Sequence, residues 1–283
     1  SLLSFERANR NYSNYPGPCL CQEVDSAIYE WIQISRDYRN AGKYDSAIIC
    51  IEYAFQELNP FEQEHYLDSL AIKIAYYRAT NYLLNGEYGI AEGYFEDLHQ
   101  LVKDANIDVI SFAHILNRMG QLKMRLGKYE ESQYYHEAAL AHFIQVESAV
   151  SESAANVYTS LGVLFSSQGD VDKARTYYQK ALAVREQVLT EDNPQIAESY
   201  NNLGTIAFYE EDYEKAIRLT KKCFEIYQRI YPSDHHQMSF LYNNLGVMYN
   251  EMGNSYRAQD YHLTALEIRR KTLGEVHLQV AWS

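Results

Sequence analysis

The stretch SYNNLGTIAFYEEDYEKA, residues 199–216, returns 42 positions later as LYNNLGVMYNEMGNSYRA, residues 241–258. The glycine of the shared word Asn-Asn-Leu-Gly belongs to a series with the same interval, which comprises Gly120, Gly162, Gly204 and Gly246. Seven positions after these glycines stand Gly127, Gly169, Glu211 and Gly253, and twelve positions after them stand Ser132, Ala174, Ala216 and Ala258. A fixed interval of this length predicts a chain built from stacked repeats.

Each repeat is predicted to form two amphipathic helices joined by a tight turn, because apolar residues recur at helical spacing on both sides of the turn position. The Leu-Gly pair is expected to lie where the first helix packs on the second, so a larger residue in place of the glycine would overpack this contact. The turn glycine suits the left-handed conformation that follows a helix C-terminus.

Extended along the chain, the pattern predicts six repeats, which start near Ile28, Ile72, Ala113, Ala155, Ala197 and Ser239. We therefore divide the chain into a leader or cap at residues 1–21, a repeat array at residues 22–272, and a last segment at residues 273–283. The last segment is expected to be the start of a truncated seventh repeat or a capping helix.

The connectors between repeats carry helix start signals. Asp192 and Asn193 are candidates for the cap that precedes Pro194 at an early helical position. Ser233 and Asp234 are expected to play the same role for the next repeat.

Composition excludes several classes of protein. A formal net charge of −13 over 283 residues argues against a nucleic-acid partner or an anionic membrane, since phosphates demand clustered Lys and Arg. No apolar run approaches the roughly 18 residues of a membrane span, and SLLSFERANR is not a signal peptide. The four cysteines (Cys19, Cys21, Cys50 and Cys223) lack zinc or redox spacing, which favours reduced intracellular thiols. We therefore expect a cytoplasmic protein with no cofactor, no metal and no membrane insertion.

No motif typical of an enzyme is present. The sequence lacks a phosphate-binding P-loop, a dinucleotide-binding glycine motif and a nucleophile elbow. HEAALAH, residues 136–142, places its second histidine six positions after the first, whereas a metalloprotease motif needs four. We expect His136 to pack against its neighbours, and His235 and His236 to be solvated connector residues. The array is therefore predicted not to be an enzyme.

These residues carry a family resemblance. The first repeat reads W-x-x-I-S-x-x-Y followed by G-x-Y and A, and the last three read Y-x-x-L-G-x-x followed by Phe, Ala or Tyr. This pattern resembles the tetratricopeptide repeat. The 42-residue interval, the word NNLG and the connectors LTEDNPQIA and LGEVHLQVA look most like the kinesin-light-chain type of that repeat. The resemblance covers residues 28–283 and implies an all-α, right-handed superhelical solenoid of about six helix pairs. It also implies that the first helix of each repeat forms a concave wall that binds a protein or peptide.

Helical geometry selects the residues that should line this wall. In the last three repeats the predicted binding residues are Asn156, Thr159, Asn201, Asn202, Asn243, Asn244 and Asn250. A carboxamide offers two donors and two acceptor lone pairs, which suits the backbone of an extended peptide. The resemblance implies a ligand contact for asparagine at the sixth position of a repeat. The alternative is that these asparagines only hydrogen-bond a neighbouring helix.

The N-terminal half of the predicted wall is basic although the chain is acidic. Its predicted binding residues are Arg36, Arg39, Lys73, Tyr76, Tyr77, Asn117, Arg118, Gln121 and Arg125. Its five cations favour a ligand that carries Asp or Glu, and the two tyrosines could form an apolar anchor beside them. The alternative is that each arginine pairs with a carboxylate of the array itself.

The sequence thus predicts a scaffold or adaptor that binds an extended, acidic or carboxylate-bearing peptide segment in its concave groove. One alternative is a ligand-sensing regulatory domain of a larger signalling protein or enzyme, whose effector part lies outside this chain. Another is self-association through the C-terminal LQVAWS, which would expose Val280 and Trp282.

Overall fold

The computed structural model describes residues 19–58, 67–104, 109–233 and 235–273. These residues form α-helices without any β-strand. The helices are α1 (Cys19–Asn40), α2 (Tyr44–Leu58), α3 (Leu67–Leu84), α4 (Tyr88–Asp104), α5 (Val109–Arg125), α6 (Tyr129–Val146), α7 (Glu152–Ser167), α8 (Val171–Val188), α9 (Pro194–Tyr209), α10 (Tyr213–Ile230), α11 (His236–Glu251) and α12 (Ser255–Leu273). None of these helices combines the length and the apolar character that crossing a membrane requires.

The helices pack as consecutive pairs, α1 with α2 through α11 with α12, and a three-residue turn joins the two helices of each pair. The predicted all-α solenoid of six helix pairs is therefore confirmed. We call the pairs repeats 1 to 6 and number positions within a repeat from its predicted start. Helix α1 begins at Cys19, close to the predicted end of the leader at residue 21. Residues 1–18 and 274–283 lie outside the described part, and the second of these ranges contains Val280 and Trp282.

The chain divides into two compact units, residues 1–107 with α1–α4 and residues 108–283 with α5–α12. In the first unit, isoleucines from α1, α2 and α3 (Ile28, Ile51 and Ile74) are fully buried together. In the second unit, one cluster of buried residues extends from α5 to α9, and two further clusters join α9 and α10 to α11 and α12. Contacts between successive pairs thus make each unit a continuous stack.

Repeat 1 departs from the glycine pattern with Ser35 at position 8, and the structure gives the reason. The Ser35 hydroxyl donates a hydrogen bond of 2.7 Å to the backbone oxygen of Ala47 on α2. Asn81 on α3 donates to both of these oxygen atoms from its amide nitrogen. In repeat 3 the roles are reversed, since Ser132 on the second helix donates to the oxygen of Gly120 on the first. Either helix can therefore supply the hydroxyl at this close crossing.

The helix caps follow the prediction at one connector and differ at the other. Asn193 caps α9 by accepting a hydrogen bond from the backbone nitrogen of Gln195, and Pro194 follows at the start of the helix. The prediction of Ser233 as the cap of α11 was wrong, and Asp234, the other candidate, lies outside the described residues. His235 caps that helix, because stacking on the Tyr231 ring at 4.0 Å holds its Nδ1 near the backbone nitrogen of Gln237.

The turn positions adopt the predicted left-handed conformation. The backbone φ angle is positive at Gly42, Gly86, Gly127, Gly169 and Gly253, between 71° and 85°. Repeat 5 has Glu211 at this position, and its φ angle is 60°. In both kinds of turn the residue after the turn position forms a backbone hydrogen bond with the first helix. The backbone nitrogen of Asp170 donates to the backbone oxygen of Phe165, and that of Asp212 donates to the backbone oxygen of Ala207, each at 2.9 Å. Repeat 5 therefore keeps the geometry of a glycine turn with a residue that is strained in it.

Replacing Glu211 by Gly should raise the free energy of unfolding by about 1 kcal/mol, because glycine adopts a positive φ angle without steric strain. Urea unfolding followed by circular dichroism measures the effect. The reciprocal control is Gly169→Glu, which places the strain in repeat 4 and should lower stability by a similar amount. Equal midpoints for wild type and Glu211→Gly would contradict this explanation.

The position-8 glycines, which recur at a regular interval, lie where the two helices of a repeat are in close contact. A Cβ atom at Gly162 would lie 2.6 Å from the ring of Tyr178, and one at Gly120 would lie 2.7 Å from the ring of His136. The ring at position 24 of the second helix therefore lies directly on the glycine of the first. At Gly204 the residue at position 24 is Thr220, and the nearest atom would be 3.1 Å away.

Gly162→Ala should therefore destabilise the fold by about 1–3 kcal/mol, since the buried Tyr178 ring cannot move away without repacking. Gly204→Ala is the matched variant, with the same change at the same position of the next repeat. It should be nearly neutral, because a shift of a few tenths of an ångström at Thr220 is offset by the better helix propensity of alanine. Thermal unfolding of both variants tests the difference, and equal losses would rule out the ring contact as its cause.

Candidate functional site

Among the first helices of successive repeats, α1 packs against α3 in the first unit and α5 packs against α7 in the second. The predicted binding residues all lie on first helices, at α1 and α3 in one unit and at α5, α7, α9 and α11 in the other. Most of these side chains are half-buried or exposed. We call the half-buried and exposed side of these first helices the first-helix face of each unit.

In the first unit, two of the three predicted cations lie on aromatic rings. The Arg39 guanidinium is 4.7 Å from the centre of the Tyr77 ring, and the Lys73 ammonium is 5.2 Å from that of Tyr29. Tyr76 and Tyr77 meet edge to face at 5.5 Å. Arg36 is exposed, and among the described residues neither Arg36 nor Lys73 forms an ion pair. Neither of these two cations is thus paired with a carboxylate of the residues that the structure describes.

In the second unit, α5 presents a basic and polar surface. Arg118 donates a hydrogen bond of 2.8 Å to Gln121, which donates to the hydroxyl of Ser160 on α7 at 3.2 Å. Arg125, at the end of α5, is exposed and makes no ion pair with any described residue. Thr159 on α7 donates to the backbone oxygen of Ala155 in its own helix. Hydrogen bonds between side chains therefore connect Arg118 and Gln121 on α5 to Ser160 on α7.

Two asparagines at position 5 are held within their own repeats. The Oδ1 atom of Asn117 lies 2.8 Å from Nδ1 of His136, and that of Asn243 lies 3.2 Å from Nδ1 of His262. Both histidines occupy position 24 of the second helix. For these two asparagines the structure shows the interhelical hydrogen bond that the sequence had left as the alternative to ligand binding.

His136 lies in an environment that disfavours its charged form. The residue is fully buried, as expected from its position, and its Nε2 atom has no hydrogen-bond partner. With Nδ1–H donating to Asn117, a second proton at Nε2 would be buried without an acceptor. Burial therefore lowers the pKa of His136 to about 4. Among the described residues no cluster of His, Cys, Asp or Glu could hold a metal ion.

Asn156, at position 2 of repeat 4, is held by an arginine that sequence reasoning missed. Arg185 is only 2% exposed and donates to Oδ1 of Asn156 at 2.9 Å and to the hydroxyl of Ser199 at 2.7 Å. It also donates to the backbone oxygen of Gln195, so one guanidinium joins α7, α8 and α9. Burial lowers the pKa of Arg185, while the charges of Glu198 and Glu152 raise it.

The predicted asparagines of repeats 5 and 6 meet at a pocket of ≈ 420 Å³ between α9, α10 and α11. Its carboxamides are those of Asn201, Asn202, Gln237 and Asn244. Asn244 donates to Oδ1 of Asn201 at 3.3 Å, so the two repeats are joined amide to amide. Asn202 makes no hydrogen bond with any described side chain, whereas Asn250 is exposed near the end of α11 outside the pocket.

The remaining walls of the pocket combine one acid with apolar groups. The acid is Glu198, which is exposed as a residue although its carboxyl is partly desolvated. This desolvation raises the pKa of Glu198, and the charge of Arg185 opposes the shift without cancelling it. Phe240 presents an aromatic ring that is 41% exposed. Cys223 is fully buried, and burial raises the pKa of its thiol to about 12. Because this thiol stays protonated at neutral pH, it is not a candidate nucleophile.

The family assignment rests on sequence profiles of the tetratricopeptide repeat. One profile matches residues 111–187 and 153–229, and a second matches residues 241–279. Together they cover more than half of the chain, which therefore belongs to the tetratricopeptide repeat family. A search of curated proteins found no sequence relative that matches.

Solved structures are similar to this chain in fold. The crystal structure of BtubC (BKLC) from P. vanneervenii has a TM-score of 0.62 and 18% identity, over 89% of this chain and 92% of that one. A putative kinesin light chain with nearly identical repeats from Podosopora anserina has a TM-score of 0.61 and 17% identity, over 73% and 98%. In fold, the repeats are thus of the kinesin-light-chain type. A Rap protein has a TM-score of 0.58 and 15% identity, over 92% and 84%.

Lowering the pH should destabilise the wild-type chain more than a His136→Tyr variant. The tyrosine of this variant is the residue that repeat 4 has at the same position, Tyr178. The folded pKa of about 4 lies below the unfolded value of 6.5, so the stability that neutral His136 contributes is present above pH 6.5 and lost as pH falls towards 4. Between pH 7 and pH 5 this loss should amount to about 2 kcal/mol. Urea unfolding of both proteins across this range measures it, and parallel stability curves would contradict the assignment.

Proposed function

We propose that this chain is a scaffold that binds an extended peptide segment of a partner protein on its first-helix face. A tetratricopeptide repeat fold is that of a protein–protein interaction scaffold, and the proposal adds the ligand and its place. The pocket at α9, α10 and α11 is the observation that carries it, because carboxamides of two successive repeats converge there.

The carboxamides of the pocket retain unused hydrogen-bonding capacity. In the bond between Asn244 and Asn201, the donor nitrogen belongs to Asn244 and the acceptor oxygen to Asn201. Oδ1 of Asn244 and Nδ2 of Asn201 are therefore left for a ligand, together with both ends of the Asn202 amide. An extended peptide presents alternating N–H and C=O groups, and such a set of fixed donors and acceptors recognises its backbone independently of its side chains.

The charge on α5 supports an acidic ligand segment. Arg118 and Arg125 stand on the first-helix face of repeat 3, and Arg118 is oriented by Gln121. A carboxylate of the ligand would form charge-assisted hydrogen bonds with these guanidinium groups. The long-range field of a chain with net charge −13 opposes an acidic ligand, so this segment must be recognised by short-range contacts at α5.

A solved structure of related fold supports a ligand-binding role. The Rap protein described above was crystallised in complex with Competence and Sporulation Factor. At 15% identity this likeness concerns the fold, and the chemistry of the ligand proposed here rests on the residues of this chain alone.

The test is a selection of peptides from a random display library on the purified chain, followed by titration of the selected sequences. Asn202→Ala with Asn244→Ala should weaken their binding at least about tenfold, because hydrogen bonds to the peptide backbone are lost. Arg118→Glu with Arg125→Glu should remove peptides that carry Asp or Glu.

The matched control is Gln133→Ala with Gln187→Ala, which removes two exposed amides from the second helices α6 and α8. This variant should bind the selected peptides as wild type does. A wild-type chain that enriches no peptide, or peptides that bind all three variants equally, would refute the proposed groove.

A further inference from the structure

The pocket between α9, α10 and α11 contains an acid that the proposed recognition of a peptide backbone does not use. Among its described lining residues Glu198 is the one side chain with a full charge at neutral pH, and the lining includes neither Lys nor Arg. Its carboxylate makes no hydrogen bond and no ion pair within 4 Å with any described residue. The charge of Arg185 acts on this acid without a hydrogen bond, so the carboxylate oxygens remain open to a cationic group of a ligand.

In the neighbouring repeats the equivalent position is engaged by an arginine of the same repeat. Glu198 stands at position 2 of repeat 5, where repeat 4 has Asn156 and repeat 6 has Phe240. The arginine at position 31 of the second helix reaches each of these: Arg185 donates to Asn156, and the guanidinium of Arg269 lies 5.5 Å from the centre of the Phe240 ring. A cation next to position 2 is therefore a regular feature of this part of the array.

Repeat 5 differs because it has Tyr227 at position 31. Tyr227 also lines the pocket, so the acid of this repeat faces a phenol where its neighbours face a guanidinium. Arg185 of repeat 4 acts on Glu198 through its charge. It is 2% exposed and its hydrogen bonds go to Asn156, Ser199 and Gln195, so it does not bind the Glu198 carboxylate. Among repeats 4 to 6, the repeat with the acid at position 2 is thus the one that lacks an arginine at position 31.

From this arrangement we infer that the pocket selects a ligand with a lysine or arginine side chain, whose cationic group pairs with Glu198. This inference rests on the proposed peptide-binding function and adds to it. Oδ1 of Asn244 lies in the same pocket and complements such a group, because a carbonyl oxygen accepts hydrogen bonds from an ammonium or guanidinium group. The volume of ≈ 420 Å³ falls within the range of ligand pockets.

The ligand then has a defined polarity along the second unit. Its acidic residues face Arg118 and Arg125 on α5, and its basic residue faces Glu198 on α9. A peptide of reversed charge order would place like charges together at both ends, which is unfavourable at close range. Charge thus fixes the direction of a peptide that the carboxamides alone would accept in more than one register.

The experiment compares library selections on wild type, Glu198→Gln and Glu198→Lys. Wild type should enrich Lys or Arg at one fixed position of the selected peptides. Glu198→Gln should lose this enrichment, and Glu198→Lys should replace it by Asp or Glu. Glu225→Gln, which removes an acid from the separate pocket beside α8 and α10, is the matched control and should keep the wild-type preference.

A double-mutant cycle measures the pair directly. Replacing the selected Lys or Arg by Gln in a synthetic peptide should weaken binding to wild type about tenfold and leave binding to Glu198→Gln unchanged. Tyr227→Arg provides an independent variant, because it restores the arginine of the neighbouring repeats and should abolish the preference for a basic residue. Melting curves establish that each variant is folded, and Glu198→Gln decides the question if either of the others unfolds.

The outcomes separate the two proposals. Peptides that bind wild type without an enriched basic residue, or with one that persists in Glu198→Gln, would overturn the role of Glu198 and leave the groove intact. A wild-type chain that selects no peptide would overturn the groove and this inference together.

Discussion

The contact on which the structure depends is the close approach of a second-helix side chain to the position-8 glycine of the first helix. In repeats 3, 4 and 6 this side chain is a ring, and a Cβ atom on the glycine would fall within 2.7 Å of it. Close packing at this point sets the separation of the two helices and hence the shape of the repeating unit. In repeats 3 to 6, which follow at intervals of 42 residues, position 8 is always a glycine, so the first helix leaves room for the second at the same point of each unit.

The second-helix residue at this contact also determines whether the position-5 asparagine is hydrogen-bonded within its own repeat. Where the ring is a histidine, its Nδ1 atom holds the position-5 asparagine, as in Asn117 with His136 and Asn243 with His262. Repeat 5 has Thr220 at this place, and the Thr220 hydroxyl contacts the sulfur of Met248 instead. Asn201 is then not held by its own repeat and pairs with Asn244 of the next. The pocket is therefore located where the ring contact is relaxed.

Features that recur at the same position of each repeat could be predicted from the sequence, whereas features that depend on one particular side-chain contact could not. The helix pairs, the left-handed turn at Glu211 and the burial of His136 follow from register alone, because equivalent positions have equivalent surroundings. The cap at His235 and the buried Arg185 depend on contacts with particular partners, which one sequence does not display. The pairing of Asn117 with His136 left a signal, since Asn and His recur 19 residues apart in repeats 3 and 6.

Position 2 shows how such an array varies its surface without altering its fold. The residue there is Asn156, Glu198 or Phe240 in three successive repeats, while the glycine six residues later is the same in all three. A half-buried or exposed position tolerates an amide, an acid or a ring, because none of them enters the packing between the two helices. The partner at position 31 changes in step, from Arg185 to Tyr227 to Arg269. Pairs of positions that link the two helices of a repeat therefore vary together on an unchanged fold, and the proposed recognition of a basic residue uses the pair in which an acid has no arginine of its own repeat.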